Sequence, residues 1–257
     1  MPETIFMIHG MWAGGWYWTN YVKFFGDKGY RCIPATLRYH DMDPKSLPDS
    51  RLGKTSILDY ANDLEGKIRK LDDKPIIMGH SMGGLLTQIL ASRSLAKTAV
   101  IITPASPRGI LALKPSVVKS FFGVMIKPGF WKKPMRLSFD ASVYSMMHLL
   151  PPDVQRAEYN KMVYESGRAA SEIGFWLFDP SRATNVDASK VTCPVLVIAG
   201  SQDRITPASV VKNVANKYKM VSAYKEYADH AHSIILEPGW QKVAEDIEAW
   251  MRKQIKT

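Results

Sequence analysis

The sequence predicts an α/β protein whose core is a mainly parallel six-stranded sheet flanked by helices. Short apolar runs rich in β-branched residues alternate with segments of helical periodicity, which is the pattern of successive βα units. The middle runs are apolar throughout, as expected for strands that are covered on both faces. One connection, of about ninety residues, is far longer than a simple crossover requires and indicates an insertion.

Each element of this core can be placed from its own residues. The predicted strands cover 4–8, 31–36, 75–79, 98–103, 194–199 and 222–227. The predicted helices cover 15–27, 54–70, 82–94, 207–218 and 240–254. In the second of these helices, apolar side chains recur at helical spacing, at Leu58, Ala61, Leu64, Ile68 and Leu71.

The long connection spans roughly 105–190 and divides the predicted core into residues 1–104 and 191–257. Prolines punctuate it, and it is too apolar to be a disordered loop. We expect it to form a helical cap, or lid, over one end of the sheet.

The composition is that of an ordinary globular protein, with 257 residues, 46% of them hydrophobic and 23% charged. No apolar run approaches the length that a membrane span requires. The first ten residues, MPETIFMIHG, lack the basic and apolar regions of a signal peptide, so we expect a cytoplasmic protein. Cys32 and Cys193 are predicted to be buried small residues rather than a disulfide or metal ligands.

The net charge of +10 is confined to one part of the chain. Residues 74–139 contain no Asp or Glu, and the rest of the chain is neutral. The ten basic residues of this stretch are Lys74, Arg93, Lys97, Arg108, Lys114, Lys119, Lys127, Lys132, Lys133 and Arg136. Three interpretations remain open: a solvated cap face, contact with an anionic membrane surface, or steering of an anionic substrate. No nucleic-acid-reading motif accompanies the charge, so we expect no nucleic-acid partner.

A candidate nucleophile lies in the segment KPIIMGHSMGGLL, where Gly79-x-Ser81-x-Gly83 follows a predicted strand and opens a predicted helix. This is the context that a nucleophile elbow requires. The turn forces the serine into a strained backbone conformation, and the two glycines let neighbouring segments pass without a Cβ clash. The alternative is a βα turn whose small residues serve tight packing.

A serine nucleophile needs a base, and the order expected for this architecture is serine, acid, histidine. Of the six histidines, His230 and His232 follow both Ser81 and a strand-end acid. That acid is Asp203, in the loop AGSQDRITP after the fifth strand. It would accept a hydrogen bond from the histidine Nδ1–H, although an Asp in such a loop can also serve the turn itself. Asp229 and Glu226 are weaker rivals because they lie too near the histidines in sequence.

An oxyanion hole should use two backbone N–H groups. One is that of Met82, the residue after the candidate nucleophile, and the other is that of Met11, in the loop HGMWAGGWYW after the first strand. Alternatively, this glycine-rich loop simply caps the first helix.

Together these segments resemble the α/β-hydrolase superfamily over nearly the whole chain. HGMWAGGWYW is similar to the HG-x-x-x-G-x-x-W stretch of an esterase branch that includes plant methylesterases, hydroxynitrile lyases and many bacterial carboxylesterases. GHSMGG and AGSQDRITP resemble its elbow and acid loop. In HSIILEPGW, a Glu lies five residues after His232 and is followed by Pro. This spacing is the family pattern for the catalytic histidine, and it selects His232 over His230.

The resemblance implies the α/β-hydrolase fold, with six main strands that are all parallel and a cap inserted before the acid-bearing strand. It also implies a serine carboxylesterase or lipase that forms an acyl-enzyme and needs no metal or organic cofactor. Trp12 and His80 are the predicted substrate-binding residues. An apolar small-molecule ester is the expected substrate, because the cap is rich in aromatic and methionine side chains: Phe121, Phe122, Met125, Phe130, Trp131, Met146, Met147, Phe175, Trp176 and Phe178.

Other chemistries on the same triad remain open from the sequence. They are a hydroxynitrile lyase, a C–C hydrolase, a perhydrolase and an acyltransferase, because the fold does not fix the reaction. A ligand sensor without turnover is a further alternative, although such proteins usually have a damaged triad. The natural substrate, its chain length and the oligomeric state are not predicted by the sequence.

Overall fold

A computed structural model describes residues 2–255. Its main sheet contains six parallel strands in the order β2-β1-β3-β4-β7-β8. These strands are β1 Thr4–Ile8, β2 Arg31–Ala35, β3 Ile76–His80, β4 Thr98–Ile102, β7 Val195–Gly200 and β8 Ser222–Tyr227. The predicted α/β architecture with six parallel strands is therefore confirmed, with each strand placed within about one residue of its predicted bounds.

The helices of the core follow the predicted order. They are α1 Thr19–Gly26, α2 Ile57–Ile68, α3 Met82–Ser92, α8 Ala208–Lys217 and α9 Trp240–Ile255. The first predicted helix is divided, because Gly15–Trp18 form a 3₁₀ turn before α1. At the start of α2, Ser56 and Asp59 form a capping box. The Asp59 carboxylate accepts from the Ser56 amide, and the Ser56 hydroxyl accepts from the Leu58 amide.

The sheet is covered on both faces, as the apolar strands predict. Side chains alternate along β1, so that Ile5 and Met7 pack in one cluster with α1 and α9, whereas Phe6 and Ile8 pack in the other with α2 and α3. Helix α3 packs in the cluster that contains Phe6 and Ile8, and most of its residues are buried. Because the strands are all parallel, their carboxyl ends lie at one edge, where the loops with His9, Ser81 and Asp203 begin.

The chain between β4 and β7 forms four helices and a short antiparallel pair of strands. These elements are α4 Pro115–Met125, β5 Pro134–Met135, α5 Phe139–Ser142, α6 Pro152–Lys161, β6 Glu165–Ser166 and α7 Gly167–Gly174. The β5–β6 pair was not predicted from the sequence, because two residues are too few to show a strand period. The exact division of the chain at 105 and 190 stays a prediction.

Two buried carboxylates of this insertion attach it to the core. Glu172 accepts from Ser56 Oγ at 2.8 Å and from the Ile57 amide at 2.8 Å, so it occupies the N-terminus of α2. Glu165 lies 3.0 Å from His40 Nε2 and accepts from the Tyr60 hydroxyl at 2.8 Å. Because both carboxylates are paired, their burial is compatible with a stable fold.

Cys32 and Cys193 are both free, and both are half-buried rather than fully buried as predicted. Within residues 2–255, none of the helices has the length and apolarity needed to cross a membrane. Nor do any three His, Cys, Asp or Glu side chains of that range converge in a way that could hold a metal ion.

Candidate active site

Ser81 lies in a strained turn between β3 and α3. Its backbone has φ 56° and ψ −120°, which side-chain-bearing residues rarely adopt. The turn is held because the Ser81 amide donates to the Ile102 carbonyl at 3.0 Å and the Ser81 carbonyl accepts from Gly84 and Ala105 at 2.9 Å each. The side chain is thereby presented at the carboxyl edge of the sheet, at the N-terminus of α3.

The glycines on either side of Ser81 are required by close backbone approach. A Cβ on Gly79 would lie 2.1 Å from the Gly83 carbonyl oxygen, and a Cβ on Gly83 would lie 2.1 Å from the Ile8 carbonyl oxygen. Both distances are far below van der Waals contact, and both partners are backbone atoms that cannot rotate away. Glycine is therefore required at both positions for the turn that carries Ser81 to form.

Asp203 and His232 form a buried pair. The Nδ1 of His232 lies 2.8 Å from Asp203 Oδ2, and both side chains are almost fully buried. Asp203 Oδ1 accepts from the amides of Ile205 and Thr206, and Oδ2 also accepts from Thr206 Oγ1 at 2.7 Å. With its oxygens supplied by these donors, the carboxylate accepts from His232 Nδ1–H, which leaves Nε2 as the free acceptor nitrogen.

Ser81 and His232 line the same cavity. The Nε2 of His232 has no hydrogen-bond partner within residues 2–255, so it does not bond to Ser81 Oγ in this structure. The three residues predicted as a triad thus meet at the sheet edge from three separate loops. Sequence order alone could not show this convergence.

His230, the alternative base, has a different set of partners. Its Nδ1 lies 3.1 Å from Glu237 Oε2, and the same carboxylate oxygen accepts from the Ala231 amide at 2.8 Å. Of the rival acids, Asp229 and Glu226 are both exposed, and Glu226 accepts from the Tyr224 hydroxyl. This geometry favours His232 and Asp203 over the alternatives.

His80 holds the backbone of His232. Its Nε2 lies 2.7 Å from the His232 carbonyl oxygen, so Nε2 must carry the proton. The hydroxyl of Thr103 donates to the same carbonyl at 3.4 Å. Burial, together with the neighbouring His232, lowers the pKa of His80 well below its ordinary value, which keeps the ring neutral. His80 does line the cavity as a substrate-binding residue would, but its N–H is already committed to His232.

His9 orients the peptide between Gly10 and Met11. Its Nδ1 lies 2.8 Å from the Gly10 carbonyl, and its Nε2 accepts from the Leu37 amide at 3.1 Å. In a trans peptide the Met11 N–H points opposite to that carbonyl, away from the His9 ring. A Cβ on Gly10 would lie 2.8 Å from Ser81 Cβ, so this peptide lies directly against the candidate nucleophile.

Met82, the other predicted oxyanion residue, is the first residue of α3. Amides in the first turn of a helix lack intrahelical partners and attract negative charge. The Met82 amide is therefore at a position suited to an anion, whereas the Met11 amide belongs to the peptide that packs against Ser81. Burial lowers the pKa of His9 to about 3, so the ring that orients Met11 stays neutral.

The cavity above Ser81 is small and mostly apolar, with a volume of about 40 Å³. Residues of the core and of the insertion both line it: Gly10, Met11, Trp12, Ala13, Trp16, Tyr17, His80, Ser81, Met146, Met147, Glu158, Met162, His232 and Ser233. Trp12, a predicted substrate-binding residue, forms part of this wall, and its ring lies 6.0 Å from that of Phe121 in α4. Residues of the insertion therefore form part of the wall of the cavity that contains Ser81.

Three polar lining residues were missed from the sequence. Glu158 of α6 brings a carboxylate to the cavity, and it pairs with Lys161 at 2.7 Å. The hydroxyl of Tyr17 donates to Ser233 Oγ at 3.2 Å. Counted from His9, the tryptophan of the HG-x-x-x-G-x-x-W pattern falls on Tyr17, which is a departure that could have drawn attention to this position. No sequence signal distinguished Glu158 from Asp153, the other acid of this polar helix.

The chain is similar in sequence to known proteins. A protein family described as "alpha/beta hydrolase fold" matches residues 3–238, which is most of the chain. A 2-hydroxy-6-oxononadienedioate/2-hydroxy-6-oxononatrienedioate hydrolase of Cupriavidus pinatubonensis is 24% identical over 218 residues, covering 81% of this chain and 73% of that protein. Methylesterase 8 of Arabidopsis thaliana is 25% identical over 133 residues, 51% of this chain and 47% of that protein.

Solved structures of the same architecture cover almost the entire chain. A pyrethroid hydrolase from Sphingobium faniae has a TM-score of 0.74 at 16% identity, covering 100% of both chains. A monoacylglycerol lipase from Paleococcus ferrophilus has a TM-score of 0.71 at 20% identity, covering 99% of this chain and 96% of that one. At such identities the likeness concerns the fold, and it agrees with the family match in sequence. The chain belongs to the α/β-hydrolase fold family.

Proposed function

We propose that this protein is a serine hydrolase that cleaves carboxylic esters through an acyl-enzyme. The observation that carries the proposal is the convergence on one cavity of Ser81, in its strained turn, and His232, whose Nδ1 is held by Asp203. A strained serine that shares a cavity with a histidine whose Nε2 is free supplies the nucleophile and the base that acyl transfer requires.

The reaction follows from these positions. Ser81 Oγ attacks the ester carbonyl carbon while His232 Nε2 takes the hydroxyl proton, and Asp203 stabilises the imidazolium that forms. The amides of Met11 and Met82 bind the oxyanion of the tetrahedral intermediate. His232 then gives its proton to the leaving alcohol, which departs and leaves Ser81 acylated. Water, deprotonated by His232, hydrolyses the acyl-enzyme and restores the serine.

The cavity favours an apolar ester without a carboxylate. Its walls are mainly Trp, Tyr and Met side chains, and Glu158 is the acidic group among them outside the proposed triad. A carboxylate there disfavours an anionic substrate, and its ion pair with Lys161 reduces this effect. The dienedioate of the Cupriavidus hydrolase's name carries two carboxylates, so Glu158 argues against that substrate class and against a C–C hydrolase of that kind here.

Substrate size is governed by the insertion. The cavity is small, so we expect larger esters to fit only when side chains of the insertion shift. Met146, Met147 and Met162 line the cavity, and unbranched methionines adapt to such changes at low cost.

Hydrolysis of p-nitrophenyl esters from acetate to palmitate tests the proposal. We expect turnover by the native protein and a loss of at least about a thousandfold in kcat for Ser81→Ala. Ser233→Ala is the matched control, because this second serine lines the same cavity, and it should retain activity within about tenfold. Absence of turnover with every ester, or equal losses in both variants, would overturn the ester-hydrolase proposal and favour a lyase or a ligand sensor.

A further inference from the structure

Helix α4 of the insertion is apolar on the face that it turns to solvent. Val118, Phe122 and Ile126 recur at four-residue intervals on that face, and Phe122 and Ile126 are 57% and 60% exposed. Leu113, just before the helix, is 71% exposed. Isolated exposed apolar residues are common in globular proteins, but a row of them along one helix marks an interaction surface.

This face is not the side of α4 that packs on the protein. The opposite side has buried Val124 and half-buried Phe121, whose ring contacts Trp12 over the active-site cavity. A surface helix ordinarily pairs one apolar face with one polar face. In α4 the inner face is satisfied by the fold, whereas the outer apolar face has no partner within residues 2–255.

Lysines are distributed along the same exposed row. Lys114 stands before the helix, Lys119 is exposed between Val118 and Phe122, and Lys127 follows Ile126. No ion pair forms at any of these three lysines within residues 2–255, although the Lys119 Nζ lies 4.1 Å from the centre of the Tyr144 ring. Residues 74–139 contain no carboxylate that could neutralise the face from within the stretch.

We propose that the outer face of α4 docks on an anionic lipid surface. Phe122, Ile126 and Leu113 would enter the boundary between headgroups and acyl chains, while the lysines extend to lipid phosphates. A second copy of the chain fits less well, because a symmetric contact would bring the lysines of one copy against those of the other. The proposal does not depend on ester hydrolysis.

Vesicle co-sedimentation of the full chain tests the docking. The probes are vesicles of phosphatidylcholine alone and of phosphatidylcholine mixed with phosphatidylglycerol. We expect binding to the anionic vesicles, weaker binding to the neutral ones, and weakening with added salt. Lys114→Gln/Lys119→Gln/Lys127→Gln should weaken binding on the order of a hundredfold, since each lysine near such a surface contributes roughly fivefold.

A second variant separates the apolar contribution from the charge. Phe122→Ser/Ile126→Ser should weaken binding at least about tenfold while leaving all lysines in place. Met220→Ser is the matched control, because Met220 is 87% exposed but lies outside the insertion, and it should bind as the native chain does. Thermal unfolding of each variant verifies that it is folded.

Three results would overturn the proposal. The first is equal binding to neutral and anionic vesicles, and the second is binding that the serine variant retains in full. The third is a dimer, measured by sedimentation velocity without lipid, that dissociates in Phe122→Ser/Ile126→Ser, because a second copy would then be the occupant of the face.

Discussion

The imidazole of His80 donates from Nε2 to the backbone carbonyl of His232 at 2.7 Å. The residue that precedes the proposed nucleophile in sequence therefore holds the loop that carries the proposed base. The two rings lie 4.8 Å apart, and both histidines are buried. Because His80 reaches the backbone of His232 rather than its ring, its effect on the reaction should be one of position.

The first prediction concerns this contact. His80→Leu removes the donor and should lower kcat by about ten- to a hundredfold, because a small displacement of the base is enough to slow proton transfer. KM should change much less than kcat. His80→Gln, whose amide can donate to the same carbonyl, should recover part of the loss. Steady-state kinetics on one p-nitrophenyl ester measures all three proteins, and a loss confined to KM would contradict the positioning role.

Glu158 should discriminate against negatively charged substrates. Its carboxylate lines the cavity, and replacing it leaves Lys161 without its partner. For Glu158→Gln we expect kcat/KM for the p-nitrophenyl monoester of succinate to rise about tenfold relative to that for p-nitrophenyl butyrate. Glu226→Gln, at an exposed position of β8, is the control and should keep the native ratio. An unchanged ratio in Glu158→Gln would show that the carboxylate does not face the substrate.

The glycines of the serine turn should tolerate no side chain. Gly83→Ala places a Cβ 2.1 Å from the Ile8 carbonyl oxygen and should lower the free energy of unfolding by more than about 4 kcal/mol. Gly66→Ala is the matched control, since Gly66 is an exposed residue inside α2 with open space at its Cβ. It should stabilise the protein by about 0.5–1 kcal/mol. Urea unfolding measures both, and a stable Gly83→Ala protein would contradict the close packing of β1 on α3.

His9 should make the protein sensitive to acid. Burial lowers the pKa of His9 to about 3 in the folded chain, against an ordinary value near 6.5. Between pH 6.5 and about pH 3, His9 is protonated in the unfolded chain but neutral in the folded chain. The free energy of unfolding is therefore highest above pH 6.5 and decreases as the pH falls below that value. From about pH 7 to about pH 5 the loss from this residue should be roughly 2 kcal/mol.

Urea unfolding at both pH values, repeated on His9→Gln, isolates this contribution. The variant should lose about 2 kcal/mol less than the native protein over the same interval, because its residue 9 does not titrate. His80, whose pKa is also lowered by burial, acts in the same direction and remains in both proteins. Thr98→Val, a buried change with no titratable group, should keep the native pH dependence. Equal losses in His9→Gln and the native protein would refute the assignment.

The strands and core helices could be predicted because their signal is local. The run IIMGH is apolar and β-branched, and it is buried on both faces as strand β3. Ser81, Asp203 and His232 were expected at one edge of the sheet because each follows a strand, and the ends of parallel strands meet at one edge. The hydrogen bond between Asp203 and His232 and the cavity that Ser81 and His232 share are seen only in the structure.

The remaining features depend on contacts between distant segments. Glu165 and Glu172 are buried, although charged residues ordinarily lie at the solvent-exposed surface. Their hydrogen-bond partners lie in the core. Glu158 and Tyr17 line the cavity because of where α6 and the turn before α1 are placed. The local spacing of apolar residues does not predict that placement. The outer face of α4 was likewise hidden, because the sequence shows that the helix is apolar but not which side is covered.

Covalent labelling of Ser81 tests the central claim most directly. A fluorophosphonate reacts with a serine only when a base and an oxyanion hole activate it, and intact-mass spectrometry counts the adducts. We expect one adduct on the native protein, mapped by peptide analysis to Ser81, and none on Ser81→Ala. An unlabelled native protein, or an adduct on any other serine, would contradict the proposed nucleophile.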